Sequence, residues 1–210
     1  MKKNIRYILN ISVLFLSWLY PYRVLQYAKT LFFYKIYTFA IQRQFKSAGI
    51  NLSVNPYLIL HGAEHIVIGN NVSIQSRCWI GAHDEYFGYR YSPILIIGNN
   101  VTINFNCHIA CINSITIGND TLISSNVLIS DHTHGETNCN AFHGIRRTQP
   151  LVSKGAIVIG NNVWIGEKAS ILPGVCIGDN TIIGANAVVT KNIPANCIAA
   201  GNPAKIIRTL

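Results

Sequence analysis

The sequence is poor in charge. Asp, Glu, Lys and Arg make up only 12% of its 210 residues while half are hydrophobic, which excludes a disordered tail and a charged coiled coil. Acids are missing altogether from residues 1–50, where Lys2, Lys3, Arg6, Arg23, Lys29, Lys35, Arg43 and Lys46 stand unopposed. The remainder of the chain holds nine cations (17 less these eight) against eight acids, so the formal net charge of +9 is almost wholly an N-terminal property. Such a segment argues for a surface that meets something anionic and says little about the body. No recognised nucleic-acid motif accompanies it, and its cations lie among aromatics, so nucleic acid is not the expected partner.

A long apolar run is missing as well. Residues 7–20, YILNISVLFLSWLY, follow a Lys-rich start as in a signal peptide, but Pro21, Tyr22 and Arg23 come next with no small-x-small cleavage site. The stretch is shorter than the roughly 20 apolar residues that a membrane-crossing helix needs. Residues 24–46 lack Gly and Pro and mix Leu, Tyr, Phe and Ile with Lys29, Lys35, Arg43 and Lys46, which reads as a basic amphipathic helix. Its apolar residues suit either a headgroup interface or packing on the body or a neighbouring subunit. Residues 1–50 thus form a basic helical segment, expected to contact an anionic membrane through residues 1–46. The six cysteines, Cys78, Cys107, Cys111, Cys139, Cys176 and Cys197, are scattered over a chain too long to need staples. They read as reduced thiols of a cytoplasmic protein. Cys107 and Cys111, four apart, would share one face of a strand rather than form a metal knuckle.

From about residue 52 the sequence repeats. An aliphatic residue returns every six positions, usually followed by Gly and two polar turn formers. Ile68 leads to Ile74 and Ile80, Ile97 to Ile103 and Ile109, Ile117 to Ile123 and Ile129. The longest run is Ile159, Ile165, Ile171, Ile177, Ile183 and Val189. Four places after an aliphatic comes a small or β-branched residue: Val72, Val101, Cys107, Val127, Val163, Ala169, Val175, Thr181 and Ala187. Side chains alternate faces in a strand, so the two sets point the same way. The intervening Gly and Asn supply the left-handed backbone that a sharp corner demands. Strand and corner at a six-residue period make a parallel β-helix, whose stacked coils bury aliphatic ladders. The period breaks in two long loops, residues 81–96 and 130–157, and in a two-residue bulge between Ile109 and Ile117. Loops thrown from a rigid solenoid are where function is usually carried.

These hexads resemble the hexapeptide-repeat acyltransferases, and the resemblance covers residues 52–210. It implies an all-β solenoid over residues 51–210, a left-handed parallel β-helix that uses acetyl-CoA. The hand comes from the resemblance, since general crossover rules favour the right hand. The chain is most similar in type to galactoside and maltose O-acetyltransferases and to bacterial O-antigen and capsule O-acetyltransferases. The latter often carry a segment like Ser130-Asp131-His132-Thr133-His134-Gly135. The basic N-terminal segment departs from the start of the galactoside and maltose enzymes, which favours a membrane-bound glycan pathway over a soluble sugar.

Laid without gaps from Asn104-Phe105-Asn106 onward, the resemblance puts the catalytic base on His134 and the acceptor-holding Asn on Asn104. The acid that grips the sugar in the galactoside enzymes falls on Ile112, beside Asn113, so a simple galactoside is not the expected acceptor. Asn161-Asn162-Val163-Trp164-Ile165-Gly166 puts Trp164 against the CoA arm, and Gly184, Ala185, Thr190 and Lys191 line pantetheine and phosphate. Lys205 and Arg208 approach the nucleotide phosphates, Lys205 replacing an Arg and losing its bidentate fork. A homotrimer with active sites between subunits, and direct transfer without a covalent intermediate on Cys139, are also implied.

The chemistry asks for a base to take the hydroxyl proton as oxygen attacks the thioester. His titrates near neutrality, and His134 lies in a loop rather than in an aliphatic ladder. His132 reads rather as a hydrogen-bonding member of that loop, and Asp131 as orienting an imidazole or capping the turn. Plainer readings make Trp164 a core residue and Lys191, Lys205 and Arg208 solvated charges. Two other classes share the repeat. One is a zinc carbonic anhydrase, for which His61 and His65 with His83 or His108 would be ligands; the other is a non-catalytic scaffold. The CoA-type residues have no role in either, so no metal is expected. The expected function is an acetyl-CoA-dependent O-acetyltransferase acting on a sugar hydroxyl of a surface polysaccharide or its precursor, at the inner face of the cytoplasmic membrane.

Overall fold

The structure is a computed structural model and describes residues 10, 12–18, 22–136 and 145–210. Lys2, Lys3, Arg6 and Cys139 lie outside the described residues.

Three sheets of parallel strands enclose the core, and the chain visits them in turn. From Ile66–Ile68 in the first sheet it passes to Ser73–Ile74 in the second and Trp79–Ala82 in the third, then returns to the first at Ile94–Ile97. The register sets each aliphatic over its equivalent one turn on: Ile68 beside Ile97, Ile74 beside Ile103, Ile80 beside Ile109. All fifteen ladder residues from Ile68 to Val189 are buried, as are the nine smaller ones between them. Each such aliphatic contributes about 1.5–3 kcal/mol by leaving water, and the ladder repeats that gain on every face of every turn.

Asparagine makes the corners. Of the fourteen non-Gly residues with positive φ among the described residues, nine are Asn and one is Asp120. Asn tolerates the left-handed region better than other side chains do. Its amide also bonds its counterpart in the next turn, from Asn51 to Asn71, Asn100 and Asp120 at 2.9, 2.9 and 2.8 Å. Glycine precedes the corner because turns approach closely: a Cβ on Gly118 would stand 2.4 Å from the Gly160 carbonyl oxygen.

The coil begins earlier than the aliphatic period suggests, at Ser47–Ala48, which pairs with Val67–Ile68. Its open end is covered by the helix Tyr22–Gln42. The buried Thr38 hydroxyl donates to the Val54 carbonyl at 3.1 Å and accepts from the Val54 amide at 2.9 Å, and Phe45 is buried beneath. The expected helix is therefore present, but its amphipathic character is loose. Phe32 and Phe33, about 100° apart on a helix, are both exposed, as are Val24, Tyr27, Ile36 and Phe39. Among its described side chains, Tyr37, Thr38 and Ile41 near the C-terminal end pack on the body. At the far end, Lys205–Thr209 runs antiparallel to Cys197–Ala200 and closes the second sheet.

The long loops leave the coil at one corner, where the third sheet hands over to the first. The first holds a hairpin, Glu85–Tyr86 with Tyr89–Arg90. The second folds back with Thr133–His134 antiparallel to Leu151–Val152. The two loops leave turns two apart, with His108–Cys111 between them in the third sheet, and meet where the Tyr86 hydroxyl donates to the Arg147 carbonyl at 2.7 Å.

Candidate active site

The residues singled out in the sequence fall on two edges of the coil. At the corner between second and third sheets, a cavity of about 550 Å³ is lined by Asn104, Phe105, Ser124, Trp164, Gly184 and Ala185, among others. Trp164 is no core residue; its indole is half-exposed on the outer face of the second sheet, and its Nε1 donates to Ser124 Oγ at 3.1 Å. The register runs from Trp164 to Ile182, Ile198 and Arg208 on successive strands. Neighbouring strands lie about 4.8 Å apart, so this lane could hold an extended ligand arm with Arg208 at its end. Lys205 is exposed on the same terminal strand. Asn104 sits at the cavity's edge, its side-chain amide donating to the Ile123 carbonyl at 3.1 Å.

At the corner between third and first sheets, a second cavity of about 480 Å³ is lined by His108, Ser130, His132, His134, Lys154 and Thr190 together with apolar residues. Lys191 follows Thr190, exposed. His134 is exposed, its ring centre 5.3 Å from that of Tyr86 in an edge-to-face arrangement and 6.4 Å from that of His132. One chain thus places His134 and Thr190 on one edge, and Asn104, Trp164, Gly184 and Ala185 on another. Lys154, on the His134 side, was not foreseen: it lies in a stretch with no repeat and no motif, so only the fold reveals it.

Asp131 is fully buried. Its carboxylate accepts from the amides of Ile112 at 3.0 Å and Asn113 at 2.8 Å, and lies 2.9 Å from His132 Nδ1. Burial pushes its pKa up, but the bonds from His132 and the two amides prevail and hold it below the ordinary carboxylate value. Asp131 therefore stays ionised, orients the His132 ring and ties the root of the loop to the preceding turn. Ile112 is itself buried.

The zinc alternative is not supported by where its histidines lie. His65 turns toward Asp84, with Nε2 3.7 Å from the carboxylate, while His61, His83 and His108 gather around the Trp79 ring, His108 stacked on it at 4.3 Å. Among the described residues, no three His, Cys, Asp or Glu are grouped to hold a metal. The five described cysteines are unpaired, and Cys107 and Cys111 are buried.

His83 is held below the ordinary imidazole value of 6.5 by burial first and then by the neighbouring imidazoles of His61, His132 and His108. Burial and His132 lower His108 likewise. The unfolded chain takes up these protons at higher pH than the folded one, so their contribution favours folding above pH 6.5 and is lost as pH falls toward the lower folded values. The melting temperature is expected to drop on acidification below that point, and less steeply in a His83→Gln, His108→Gln double variant. Identical profiles for the two proteins would contradict this.

Comparison with known proteins agrees with the geometry. Residues 156–191 match the family described as bacterial transferase hexapeptide (six repeats). WbbJ of Escherichia coli (strain K12), named for O-acetyl transfer in lipopolysaccharide biosynthesis, is 46% identical over 104 residues, which are 48% of this chain and 53% of WbbJ. Galactoside O-acetyltransferase of the same organism is 45% identical over 97 residues, 46% of this chain and 45% of that protein. The chain thus spans about half the length of the curated relatives it matches. A solved galactoside acetyltransferase in complex with coenzyme A superposes with a TM-score of 0.57 at 32% identity, covering 80% of this chain and 67% of that one. With buried six-residue ladders, asparagine corners and this match over most of both chains, the protein belongs to the hexapeptide-repeat family of bacterial transferases.

Proposed function

We propose that this chain transfers an acetyl group from acetyl-CoA to a sugar hydroxyl of a bacterial surface polysaccharide (O-antigen, capsule or exopolysaccharide) or its precursor. The scaffold is read as a left-handed parallel β-helix in a homotrimer. The observation that carries this reading is the pair of open cavities. Of the residues that the resemblance assigns to base, acceptor and CoA, His134, Asn104, Trp164, Gly184, Ala185 and Thr190 line them instead of packing into the core, while Lys191, Lys205 and Arg208 are exposed beyond them. The names of WbbJ and of the galactoside enzyme crystallised with coenzyme A support it.

Acetyl-CoA supplies an activated acyl group as a thioester. His134 takes the proton from the attacking hydroxyl and returns it to the departing thiolate sulfur, so the proton count closes within one ternary complex. Asn104 orients the hydroxyl. Trp164 packs against the pantetheine arm beside Gly184 and Ala185, and Arg208 and Lys205 meet the nucleotide phosphates. Thr190 and Lys191 lie on the His134 edge, so they contact CoA held by a neighbouring chain. Because His134 and Trp164 occupy different edges of one chain, a complete site forms where the His134 edge of one copy meets the Trp164 edge of the next.

The enzyme works in the cytoplasm at the inner membrane face. Support comes from the acid-free segment of residues 1–46, with Phe15, Trp18, Phe32, Phe33 and Phe39 exposed among its cations. The proposed contact is peripheral; no described helix is long and apolar enough to cross a membrane. The test is thiol release from acetyl-CoA on adding the de-O-acetylated surface glycan of the bacterium that carries this chain. Release dependent on the glycan is expected; thiol release that the glycan leaves unaltered contradicts the reading.

A further inference from the structure

The hairpin in the loop of residues 81–96 turns on two residues, Phe87 and Gly88, with φ of 47° and 83°. Positive φ at both positions is the type I′ geometry, for which Asn-Gly is the usual pair. This chain uses Asn or Asp at ten of its fourteen described positive-φ non-Gly positions, yet a phenylalanine stands here. A bulky side chain in the left-handed region is strained, and strain of this kind persists where something else requires the residue. Core packing is not that requirement, because Phe87 is 53% exposed and Tyr89, which pairs with Tyr86 at the foot of the turn, 45%.

The hairpin is also fixed against the loop that carries the candidate base. The Tyr86 ring packs edge-to-face with His134, and its hydroxyl donates to the Arg147 carbonyl at 2.7 Å. The Arg147 guanidinium lies 5.6 Å from the Phe87 ring centre, and Tyr91 accepts from the Leu151 amide at 2.7 Å. An exposed aromatic surface therefore continues outward from the His134 cavity. Meanwhile the Ile112–Asn113 backbone, at the position where the resemblance puts the acid that grips the acceptor, has both amides bound to buried Asp131. Acceptor contacts have to come from elsewhere.

We propose that this hairpin is an acceptor subsite, in which Phe87 and Tyr89 stack on the apolar C–H faces of pyranose rings in an extended glycan whose reacting sugar lies at His134. The inference rests on the acetyl-transfer reading and narrows it to an oligomeric or polymeric acceptor. Electron-rich ring faces attract the weakly positive C–H groups of a sugar, and aromatic side chains offer this area at little conformational cost.

The decisive variant is Phe87→Asn, which gives the turn its preferred pair. Its acceptor KM is measured with oligosaccharides cut from the de-O-acetylated surface polysaccharide, beside the melting temperature, the molecular mass and the acetyl-CoA KM. The variant is expected to melt no lower than the parent, with its oligosaccharide KM raised about tenfold and its acetyl-CoA KM within about twofold. A Phe87→Ala, Tyr89→Ala double variant should go further in the same direction. Unchanged oligosaccharide KM in both variants overturns the subsite. So does a change in molecular mass, which would make the hairpin a subunit contact. If the parent chain itself releases no thiol with the glycan, the acetyl-transfer reading fails and the subsite with it; release with unaltered KM in the variants sinks the subsite alone.

Discussion

Replacing His134 with alanine is expected to lower kcat by about 100- to 10,000-fold, the usual range for losing a positioned general base, while acetyl-CoA still binds. The separation follows from the fold. Trp164, Gly184 and Ala185 lie at the corner between second and third sheets, one edge away from His134, so removing the imidazole leaves that cavity intact. His134 is exposed and ends a short strand paired with Leu151, so alanine there costs little stability. His132 differs. Its side chain is 10% exposed and its Nδ1 lies 2.9 Å from the buried Asp131 carboxylate, so His132→Ala leaves that charge short of a partner and should loosen the loop. The two variants are told apart by melting temperature and kcat together. Normal turnover in His134→Ala with CoA still bound would remove His134 from the role of base.

The second large effect is restoration. His134→Ala and Asn104→Ala chains, each inactive alone, are expected to recover about one quarter of wild-type activity when co-expressed in equal amounts. In a random mixture, half of the His134 edges and half of the Asn104 edges are intact, and a quarter of the interfaces unite two intact ones. If one chain formed a complete site by itself, every site would carry one lesion or the other. Activity no greater than that of the parent variants, with mixed oligomers demonstrated by mass, contradicts a site shared between chains.

The ladder was legible in the sequence because a stacked coil buries the same position in every turn. Each of Ile68, Ile97 and Ile159 had to be aliphatic for one reason, and their six-residue spacing to Ile74, Ile103 and Ile165 survives the loops between them. Ser47–Ala48 was not legible, since the first turn is completed by Thr38 from the helix and Phe45 from the turn after it rather than by a further hexad. The Phe87-Gly88 turn was hidden because phenylalanine is no turn signal; its φ is imposed by the hairpin. Division of the site into two edges could have been read in advance. Asn104 follows Ile103, the second hexad of its turn, and His134 follows Ile129, the third of its own, so the two residues had to leave the coil at different corners. Lys154 offered no such signal. Conversely, the resemblance alone supplied the role of Trp164, which composition would as readily have assigned to an apolar face.

Mass spectrometry of the purified de-O-acetylated glycan, after incubation with acetyl-CoA and this protein, tests acetyl transfer most directly. The glycan is expected to gain the mass of acetyl groups with the parent chain and to gain none with His134→Ala; a glycan left unmodified by a folded oligomer that binds acetyl-CoA would contradict it.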